Sequence, residues 1–345
     1  SQEFGMTGRQ IEGDGFEITK VVEILLSSDT QVGVSKSMGL ALLGFADALN
    51  AMSPDLLLLL GDRYEIFAAA AAATIAKIPI AHIHGGEITM GAYDDAFRHS
   101  ITKMSHLHFV ATAEYRSRVI QLGEPPNKVF NVGGLGVDRV ASVKLLSMED
   151  LEASMGIKFL KRNLLVTYHP STLEDDLGFC DFQKMLSTFK ELQSVGLLFT
   201  MPNADNGSRK IAEEIKKFCQ SQPNAWFVNT LGQQKYFTCL KNFNGVVGNS
   251  SSGITEAPSF RIGTVNIGNR QQGRVMASSV IDCCEKKISI AKAIEILFSS
   301  SFCRSLDSCI NPYGEEGASV KIVNTIETEL DTLTIKKRFF DLSTG

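Results

Sequence analysis

The chain lacks any block of basic residues and any long uninterrupted apolar run. Lys and Arg together number 34 against 38 Asp and Glu, and the formal net charge is −4. This balance favours neither nucleic acid nor an anionic membrane surface as a partner. The longest apolar runs, Leu56–Leu60 and Ile66–Ile75, are separated by Gly61-Asp62-Arg63, so we expect no membrane-spanning segment of about 20 residues. We also recognise no signal peptide.

Cysteine is absent from the first half of the chain and forms no Cys-x-x-Cys pair. The seven cysteines, an odd number, all lie between Cys180 and Cys309. This pattern is typical of reduced thiols and predicts a cytoplasmic protein. Histidine is distributed in the opposite way, since five of the six imidazoles fall between His82 and His108. Titratable chemistry is therefore concentrated in the first half.

Apolar strand-like runs alternate with helix-like segments along the whole chain. The predicted strands are Val21–Leu26, Leu56–Leu60, Ile80–Ile83, Leu107–Ala111, Val129–Val132, Asn163–Tyr168, Gly196–Met201, Ala225–Asn229, Gly245–Gly248 and Thr264–Ile267. This alternation predicts an α/β fold with parallel sheets covered by helices. A length of 345 residues favours two domains. The pattern restarts near residues 140–160, so we predict an N-terminal Rossmann-like domain over 1–158 and a C-terminal one over 159–311.

Charged and imidazole side chains follow two successive strands of the first half. Asp62 and Arg63 come directly after one strand, and His82 and His84 belong to the next. Ligands bind at the carboxyl ends of strands in open α/β sheets, so these residues are candidates for a site. Alternate residues of a strand share a face, so both imidazoles are expected to point the same way. Other interpretations stay open, with Asp62 as a helix N-cap and the His-x-His pair as structural residues or metal ligands.

A third polar group begins the next predicted helix. Asp94 and Asp95 lie four residues before Arg98 and His99, which is the spacing of ion pairs on one helix face. That structural interpretation accounts for most such pairs. Asp94 is alternatively a candidate acid or base that projects into a cleft.

The second half contains a small polar loop of a kind that binds anions. Asn249-Ser250-Ser251-Ser252-Gly253 joins the strand Gly245–Gly248 to a helix expected near Ile254. Backbone N–H groups at such a strand–loop–helix turn bind phosphate, and the acidic Glu256 suits ribose hydroxyls. An ordinary Ser N-cap is the structural alternative.

Three basic side chains of the second half also follow strands. Arg270 and Arg274 lie on a Gly-containing loop after Thr264–Ile267, and two guanidinium groups there suit a diphosphate. His169 ends the strand Asn163–Tyr168 and precedes a proline. A solvated loop and a structural histidine are the alternatives. Together the two halves predict a sugar-nucleotide enzyme with its site between two domains.

These motifs jointly resemble the hydrolysing UDP-N-acetylglucosamine 2-epimerases of bacterial sialic acid biosynthesis. The resemblance rests on the segments 61–65, 82–87, 98–105 and 249–253 with Glu256, and on 266–268 with Arg270 and Arg274. It covers essentially the whole chain. The family opens with a strand and a Gly-Thr/Ser-Arg-Ala-Glu-Tyr-Gly turn, and we expect that opening strand–helix unit to be missing from the N-terminal domain.

The resemblance implies a glycosyltransferase-B-like fold of two facing Rossmann-like domains. It implies that a last helix, within 312–345, crosses back to pack on the first domain. The implied reaction converts UDP-GlcNAc and water to N-acetylmannosamine and UDP, by anti elimination to a 2-acetamidoglucal and then addition of water. The resemblance implies no metal and no other cofactor, and suggests a homodimer or homotetramer.

The resemblance also implies roles for individual residues. Asp62 and Asp94 match acid/base carboxylates, and His84 lies where some members carry Glu, so the base at C2 stays open among these three. His169 matches a nucleotide contact and is a candidate to neutralise developing phosphate charge. The positions that match nucleotide contacts are Arg63, His169, Asn203, Leu231 (through its backbone), Ser250, Ser251, Glu256 and Arg270.

Three other functions stay open at this point. The same chemistry on a UDP-2,4-diacetamido-2,4,6-trideoxyhexose of the legionaminic acid route depends on contacts to C4 and C6 of the sugar. A glycosyltransferase of the same fold would need an acceptor groove. A catalytically inactive UDP-sugar binder is favoured only if the opening unit is truly lacking.

Overall fold

The computed structural model describes residues 8–26, 28, 30–90, 92–140, 142–171, 176–203, 205 and 207–342. These residues form two compact units. The first, here called the N-terminal unit, comprises residues 8–89, 93–138 and 313–342. The second, the C-terminal unit, comprises residues 139–312 together with residues 90 and 92.

Each unit is built on one parallel sheet. Within the described residues the strands are β1 (Leu57–Leu60), β2 (Ile80–Ile83), β3 (Leu107–Val110), β4 (Val129–Asn131), β5 (Asn163–Thr167), β6 (Gly196–Thr200), β7 (Ala225–Val228), β8 (Gly245–Gly248), β9 (Thr264–Ile267) and β10 (Val280–Cys283). The N-terminal unit has the order β1-β2-β3-β4, and the C-terminal unit the order β10-β9-β8-β5-β6-β7. All of the strand pairs are parallel. The predicted α/β class is therefore confirmed.

Helices connect successive strands everywhere in the described chain except between β9 and β10. In chain order the described helices are α1 (Gly8–Gly13), α2 (Gln31–Met52), α3 (Tyr64–Ile75), α4 (Asp94–Met104), α5 (Ala113–Gln121), α6 (Leu135–Asp138), α7 (Met148–Met155), α8 (Phe179–Phe189), α9 (Ser208–Ser221), α10 (Gly232–Asn242), α11 (Ser252–Thr255), α12 (Lys287–Leu297), α13 (Ser300–Ser305) and α14 (Ala318–Glu329). Short 3-10 segments lie at Pro126–Lys128, Ala257–Phe260, Leu306–Ser308 and Leu330–Thr332.

The central strands are apolar because helices cover both faces of each sheet. Every residue of β2, β3, β5 and β8 is buried. Strands buried on both faces read as continuous apolar runs rather than as alternating ones. This burial fixes the strand ends, and with them the polar residues that follow each strand.

The last part of the chain belongs to the N-terminal unit. Ile322 of α14 joins a core cluster with Ile83 and Phe109. The hydroxyl groups of Tyr313 and Tyr115 lie 2.7 Å apart. Asp138 accepts hydrogen bonds from backbone N–H groups at the start of α14, including that of Ala318 at 2.7 Å. The carboxylate caps the helix and complements its dipole.

Residues 139–158 lie in the C-terminal unit, whereas the sequence analysis assigned them to the N-terminal domain. The reason is packing, since Leu151 of α7 is fully buried in a cluster with Leu165 and Leu198 of the C-terminal sheet. The Thr238 hydroxyl also accepts a hydrogen bond from the backbone N–H of Leu146 at 3.1 Å.

Helix α2 is the one described helix that is long and apolar enough to cross a membrane. It contains no long uninterrupted apolar run, because Lys36 and Asp47 interrupt the apolar residues, and it was therefore not expected from the sequence. The test uses length and composition only, and the core helix of a soluble protein also meets it. In this structure α2 contacts α3, and Ala41, Ala48 and Leu49 are buried.

The strand predicted at Val21–Leu26 is wrong. Those residues form no regular element, and no described strand pairs with them. They lie along α2 instead, where the Ser37 hydroxyl accepts a hydrogen bond from the backbone N–H of Leu26 at 3.3 Å. An apolar, β-branched run becomes a strand only where a neighbouring strand supplies hydrogen-bond partners.

Candidate active site

The candidate nucleotide residues of the C-terminal unit follow five adjacent strands, β5 to β9. In the order β10-β9-β8-β5-β6-β7, the direction in which strands are added reverses between β8 and β5. Such a switch point opens a crevice at the carboxyl ends of the strands, where ligands bind in this kind of sheet. His169 follows β5 and Asn249 follows β8, so these two residues flank the switch point directly.

Asn249 connects the residues at this switch point. Its side-chain oxygen accepts the backbone N–H of His169 at 2.7 Å, and its side-chain nitrogen donates to the His169 carbonyl at 2.8 Å. Its own carbonyl accepts hydrogen bonds from Arg270 at 3.2 Å and from the buried Gln271 at 2.8 Å. Asn249 thus fixes His169 and Arg270 relative to each other.

Asn249 and Gln271 were not predicted as site residues from the sequence. For Asn249 the available signal was an amide directly after a fully buried strand. Such a side chain must find buried hydrogen-bond partners. For Gln271 the sequence offered no signal, because its burial depends on the tertiary path of the loop after β9.

His169 is 5% exposed and its ring orientation is fixed by a backbone group. The Nδ1 atom accepts a hydrogen bond from the backbone N–H of Asn203 at 3.1 Å. A backbone N–H can only donate, so the neutral ring carries its proton on Nε2. His169 therefore presents a donor at Nε2, and Asn203, which follows β6, holds it there.

The serine loop differs from the expected helix N-terminus. Helix α11 has only four residues, Ser252–Thr255, and a 3-10 segment follows it. Ser251 is the N-cap residue and makes no side-chain capping bond. The Ser250 hydroxyl accepts from the backbone N–H of Ser252 at 3.4 Å, while the Ser252 hydroxyl pairs with Tyr236. Ser250 and Ser251 are both partly exposed, so their hydroxyls suit a polar ligand.

The other predicted nucleotide contacts lie in the same unit. Glu256 follows α11 and accepts a hydrogen bond from Thr255 Oγ1 at 3.1 Å. The Leu231 side chain packs in the core, so a ligand can meet only its backbone. Arg274 lines a cavity of about 600 Å³ together with Asn269 and Glu285.

Gly248 permits the close packing on which Asn249 depends. Its φ is +140°, and a Cβ placed there would lie 1.9 Å from the Thr167 carbonyl oxygen. We expect Gly248→Ala to lower the free energy of unfolding by at least about 2 kcal/mol. The matched control is Gly156→Ala, with φ +65° and no atom within 4 Å, for which we expect a loss of about 1 kcal/mol. Thermal unfolding measures both, and equal losses would contradict the steric argument.

In the N-terminal unit the buried Arg98 brings two predicted site residues together. Arg98 is 3% exposed and forms a salt bridge with Asp62 through Nη2. Its Nη1 donates to the backbone carbonyl of His84 at 2.8 Å, and Nη2 to Thr89 Oγ1 at 3.3 Å. The guanidinium group therefore ties the residue after β1 to the residue after β2. Sequence spacing did not predict this pairing.

Two expectations about the neighbouring helices are resolved by these contacts. Asp62 does not cap α3, since the N-cap residue is Arg63, whose Nε donates to Glu65 at 3.0 Å. On α4 the pair His99–Asp95 forms with an N–O distance of 3.6 Å. Asp94 is the first residue of α4 and is buried.

His84 lies just beyond β2 and has an unusual backbone. Its φ is +66°, in the left-handed region that few non-glycine residues adopt. Such strain persists only where the surroundings enforce it, and it is concentrated at functional sites. The ring contacts the buried Glu87, with 2.6 Å between Nδ1 and Oε1. The backbone N–H of Leu135 donates to Nε2 at a long 3.4 Å.

His82, in contrast, is a structural residue inside β2. Its Nε2 donates to the Gly61 carbonyl at 2.8 Å, and the Thr102 hydroxyl lies 3.1 Å from Nδ1. The assignment of both His82 and His84 to one strand is wrong, because β2 ends at Ile83, so strand alternation does not relate the two imidazoles. Among the described residues no group of three or more His, Cys, Asp or Glu is arranged to hold a metal ion.

Acid is expected to destabilise the protein through His82. Burial lowers the pKa of His82 to about 3, against 6.5 in an exposed chain. Between these two pH values the unfolded chain binds a proton at His82 that the folded chain does not. The contribution of His82 to the free energy of unfolding is therefore complete above pH 6.5 and decreases as the pH falls towards 3. Urea midpoints measured from pH 4 to 8 test this. His82→Gln should show a shallower slope below pH 6.5, and an unchanged slope would contradict the assignment.

A family model described as UDP-N-acetylglucosamine 2-epimerase matches residues 1–327. A GDP/UDP-N,N'-diacetylbacillosamine 2-epimerase (hydrolyzing) of Campylobacter jejuni is 39% identical over 345 residues, covering 99% of this chain and 89% of the relative. Polysialic acid biosynthesis protein P7 of Escherichia coli is 40% identical over 325 residues, with 94% and 83% covered.

Two solved structures show the same fold at low sequence identity. The Staphylococcus aureus MnaA–UDP structure has a TM-score of 0.79 at 18% identity and covers 98% of this chain and 89% of that chain. The UDP-GlcNAc 2-epimerase of Neisseria meningitidis bound to UDP-GlcNAc has a TM-score of 0.79 at 19% identity, with 94% and 89% covered. The predicted glycosyltransferase-B-like fold with two Rossmann-like sheets is confirmed.

Proposed function

Since the chain belongs to the UDP-N-acetylglucosamine 2-epimerase family, we propose that it hydrolyses UDP-GlcNAc to N-acetylmannosamine and UDP. The observation that carries this proposal is the arrangement in which Asn249 holds His169 and Arg270 at the switch point of the C-terminal sheet. A donor at His169 Nε2 and a guanidinium group together suit a diphosphate. The similarity to the polysialic acid biosynthesis protein supports the sialic acid route.

In this proposal the C-terminal unit binds the nucleotide. His169 and Arg270 contact the phosphates, and both stabilise the negative charge that develops on UDP as it leaves. Ser250 and Ser251 add hydroxyl donors, Glu256 binds the ribose, and the backbone of Leu231 meets the uracil. Asn203 contacts the nucleotide and holds the His169 ring through its backbone N–H.

The N-terminal unit supplies the proton transfers, through Asp62, His84 and Asp94, while Arg63 contacts the nucleotide. In the first step the C2–H bond breaks, its proton goes to a base, and its electrons form the C1–C2 double bond. UDP leaves with the electron pair of the C1–O bond. In the second step water adds its oxygen to C1, and C2 receives a proton on the face of the sugar opposite to the one from which the first proton left.

The chemistry requires general acid–base catalysis and no electron transfer, so we propose that no cofactor takes part.

A second substrate is favoured by the names of two relatives. The relative from Campylobacter jejuni carries the name of a diacetylbacillosamine epimerase and covers nearly the whole chain. UDP-N,N'-diacetylbacillosamine differs from UDP-GlcNAc at C4 and C6 of the sugar, away from the bonds that react. The same residues therefore suit both substrates.

Parallel kinetics decide between these substrates. UDP release is measured with UDP-GlcNAc and UDP-N,N'-diacetylbacillosamine, and GDP release with the GDP form of the latter. We expect the highest kcat/KM with UDP-GlcNAc, and a preference for the diacetamido sugar by tenfold or more would reassign the substrate. Absence of nucleoside diphosphate release from all three substrates would favour an inactive binder or a glycosyltransferase. From the resemblance alone we also propose a cytoplasmic homodimer or homotetramer.

A further inference from the structure

Glu87 is a buried carboxylate that the proposed reaction leaves without a role. It is 2% exposed, and its Oε1 lies 2.6 Å from His84 Nδ1. Its second oxygen lies 3.9 Å from Arg98 Nη1. Burial of a carboxylate costs free energy unless a partner compensates its charge. The contacts with His84 and Arg98 therefore stabilise Glu87 in this buried position.

The chain between the two residues is held in a tight turn. Gly86 has φ +78°, and a Cβ there would lie 2.5 Å from the Tyr115 carbonyl oxygen. Its own carbonyl accepts a hydrogen bond from Arg118 at 2.5 Å. The positive φ of His84 belongs to the same turn. The turn brings Glu87 back onto the His84 ring at a separation of three residues.

The hydrogen bonds of His84 define one tautomer of the neutral ring. An ionised carboxylate only accepts, so the proton lies on Nδ1. The backbone N–H of Leu135 only donates, so Nε2 carries a lone pair. That contact is long, at 3.4 Å, and is easily replaced by a substrate group.

The two site imidazoles are therefore held in opposite tautomers. His169 accepts at Nδ1 and carries its proton on Nε2. His84 donates at Nδ1 and keeps Nε2 unprotonated. His169 is thus a hydrogen-bond donor, which suits the anionic leaving group UDP. His84 is a proton acceptor, which suits removal of a proton from carbon.

We propose that Glu87 is a positioning residue that holds His84 as the Nδ1–H tautomer, with Nε2 as the base for the C2 proton. The proposal rests on the proposed function and names the base that it leaves open. His84 Nε2 takes the proton as UDP departs, and Glu87 stabilises the imidazolium that forms. Asp62 is less suited to this step, because Arg98 already engages its carboxylate.

The first test does not depend on activity. In protein labelled with ¹⁵N-histidine, long-range proton–nitrogen NMR spectra report which ring nitrogen carries the proton, and His84→Gln identifies the His84 signals. We expect the Nδ1–H tautomer for His84 in the wild type and a shift towards Nε2–H in Glu87→Gln. An Nε2–H ring in the wild type would overturn the proposal, even if the protein is active.

The second test separates positioning from general structure. By analogy with a carboxylate-to-amide change beside a catalytic imidazole, Glu87→Gln should lower kcat by about 10²–10⁴-fold with KM changed less than about twofold. Glu87→Asp, which keeps the charge, should recover part of kcat. Glu214→Gln, which removes a surface carboxylate paired with Lys217 in the C-terminal unit, is the matched control and should leave kcat unchanged. Wild-type kcat in Glu87→Gln would refute the role, whereas an inactive wild type would refute the proposed function instead.

Discussion

Asp62→Asn is expected to abolish turnover while UDP still binds. The substitution keeps the shape of the side chain but removes the charge opposite Arg98, a guanidinium group that is almost fully buried. We expect kcat to fall by about 10³-fold or more, as for removal of a group that acts in proton transfer. UDP affinity should change less than about twofold, because the proposed phosphate contacts lie in the C-terminal unit.

The control for this substitution is Asp181→Asn. Asp181 forms a surface ion pair with Lys184, with 2.6 Å between the charged atoms, so its loss should leave kcat unchanged. Calorimetric titration with UDP and a UDP-release assay measure the two quantities separately. If Asp62→Asn turned over at the wild-type rate, Asp62 would have no part in the mechanism.

His169→Ala is expected to weaken both UDP binding and turnover. It removes the Nε2–H donor that Asn203 fixes towards the ligand side of the ring. A hydrogen bond to a charged group contributes roughly 1.5–3 kcal/mol, so UDP affinity should fall about 10- to 100-fold. The loss in kcat/KM should be larger, because charge on the leaving UDP develops further in the transition state.

A conservative variant tests the tautomer directly. In His169→Gln the amide oxygen accepts from the Asn203 backbone and the amide nitrogen donates in place of Nε2, so part of the affinity should return. His106→Ala removes an imidazole that lies near the Ile335 carbonyl in the N-terminal unit, and should leave UDP affinity unchanged. Unaltered UDP binding in His169→Ala would exclude the phosphate role.

The sequence predicted the central strands well, for a physical reason. The predictions for Ile80–Ile83, Gly245–Gly248 and Thr264–Ile267 agree with β2, β8 and β9 residue for residue. Each of these strands is buried along its whole length, so its apolar run ends where the strand ends. The positions of His84, Asn249 and Arg270 after the ends of these three strands therefore follow from the same burial.

Edge elements were harder to predict because burial no longer marks their limits. Strand β10, Val280–Cys283, is half-exposed and was missed, as was the helix α12 that follows it. Val21–Leu26 has the composition of a strand but lacks a partner. Both errors arise because strand formation depends on hydrogen bonding to a neighbouring strand and on burial by other elements, and the fold, not the local sequence, determines these.

The side-chain partners within the site could not be predicted from spacing. Arg98 and Asp62 lie 36 positions apart, and His169 and Asn249 lie 80 apart. The i,i+4 spacing suggested Asp94 as one partner for Arg98, and it gave no sign of the salt bridge that Arg98 forms with Asp62. Glu87 was read only as part of a motif, because its burial against His84 depends on the turn through Gly86.

Proton NMR in deuterated water tests the central claim most directly. The purified protein is incubated with UDP-GlcNAc, and the anomeric and C2 signals are followed over time. The account predicts release of UDP and formation of N-acetylmannosamine that carries deuterium at C2, since the hydrogen that C2 receives on the opposite face comes from a group in exchange with solvent. N-acetylmannosamine that retained the original hydrogen at C2, or UDP release with retention of the gluco configuration, would contradict the elimination mechanism and the assignment of a base at C2.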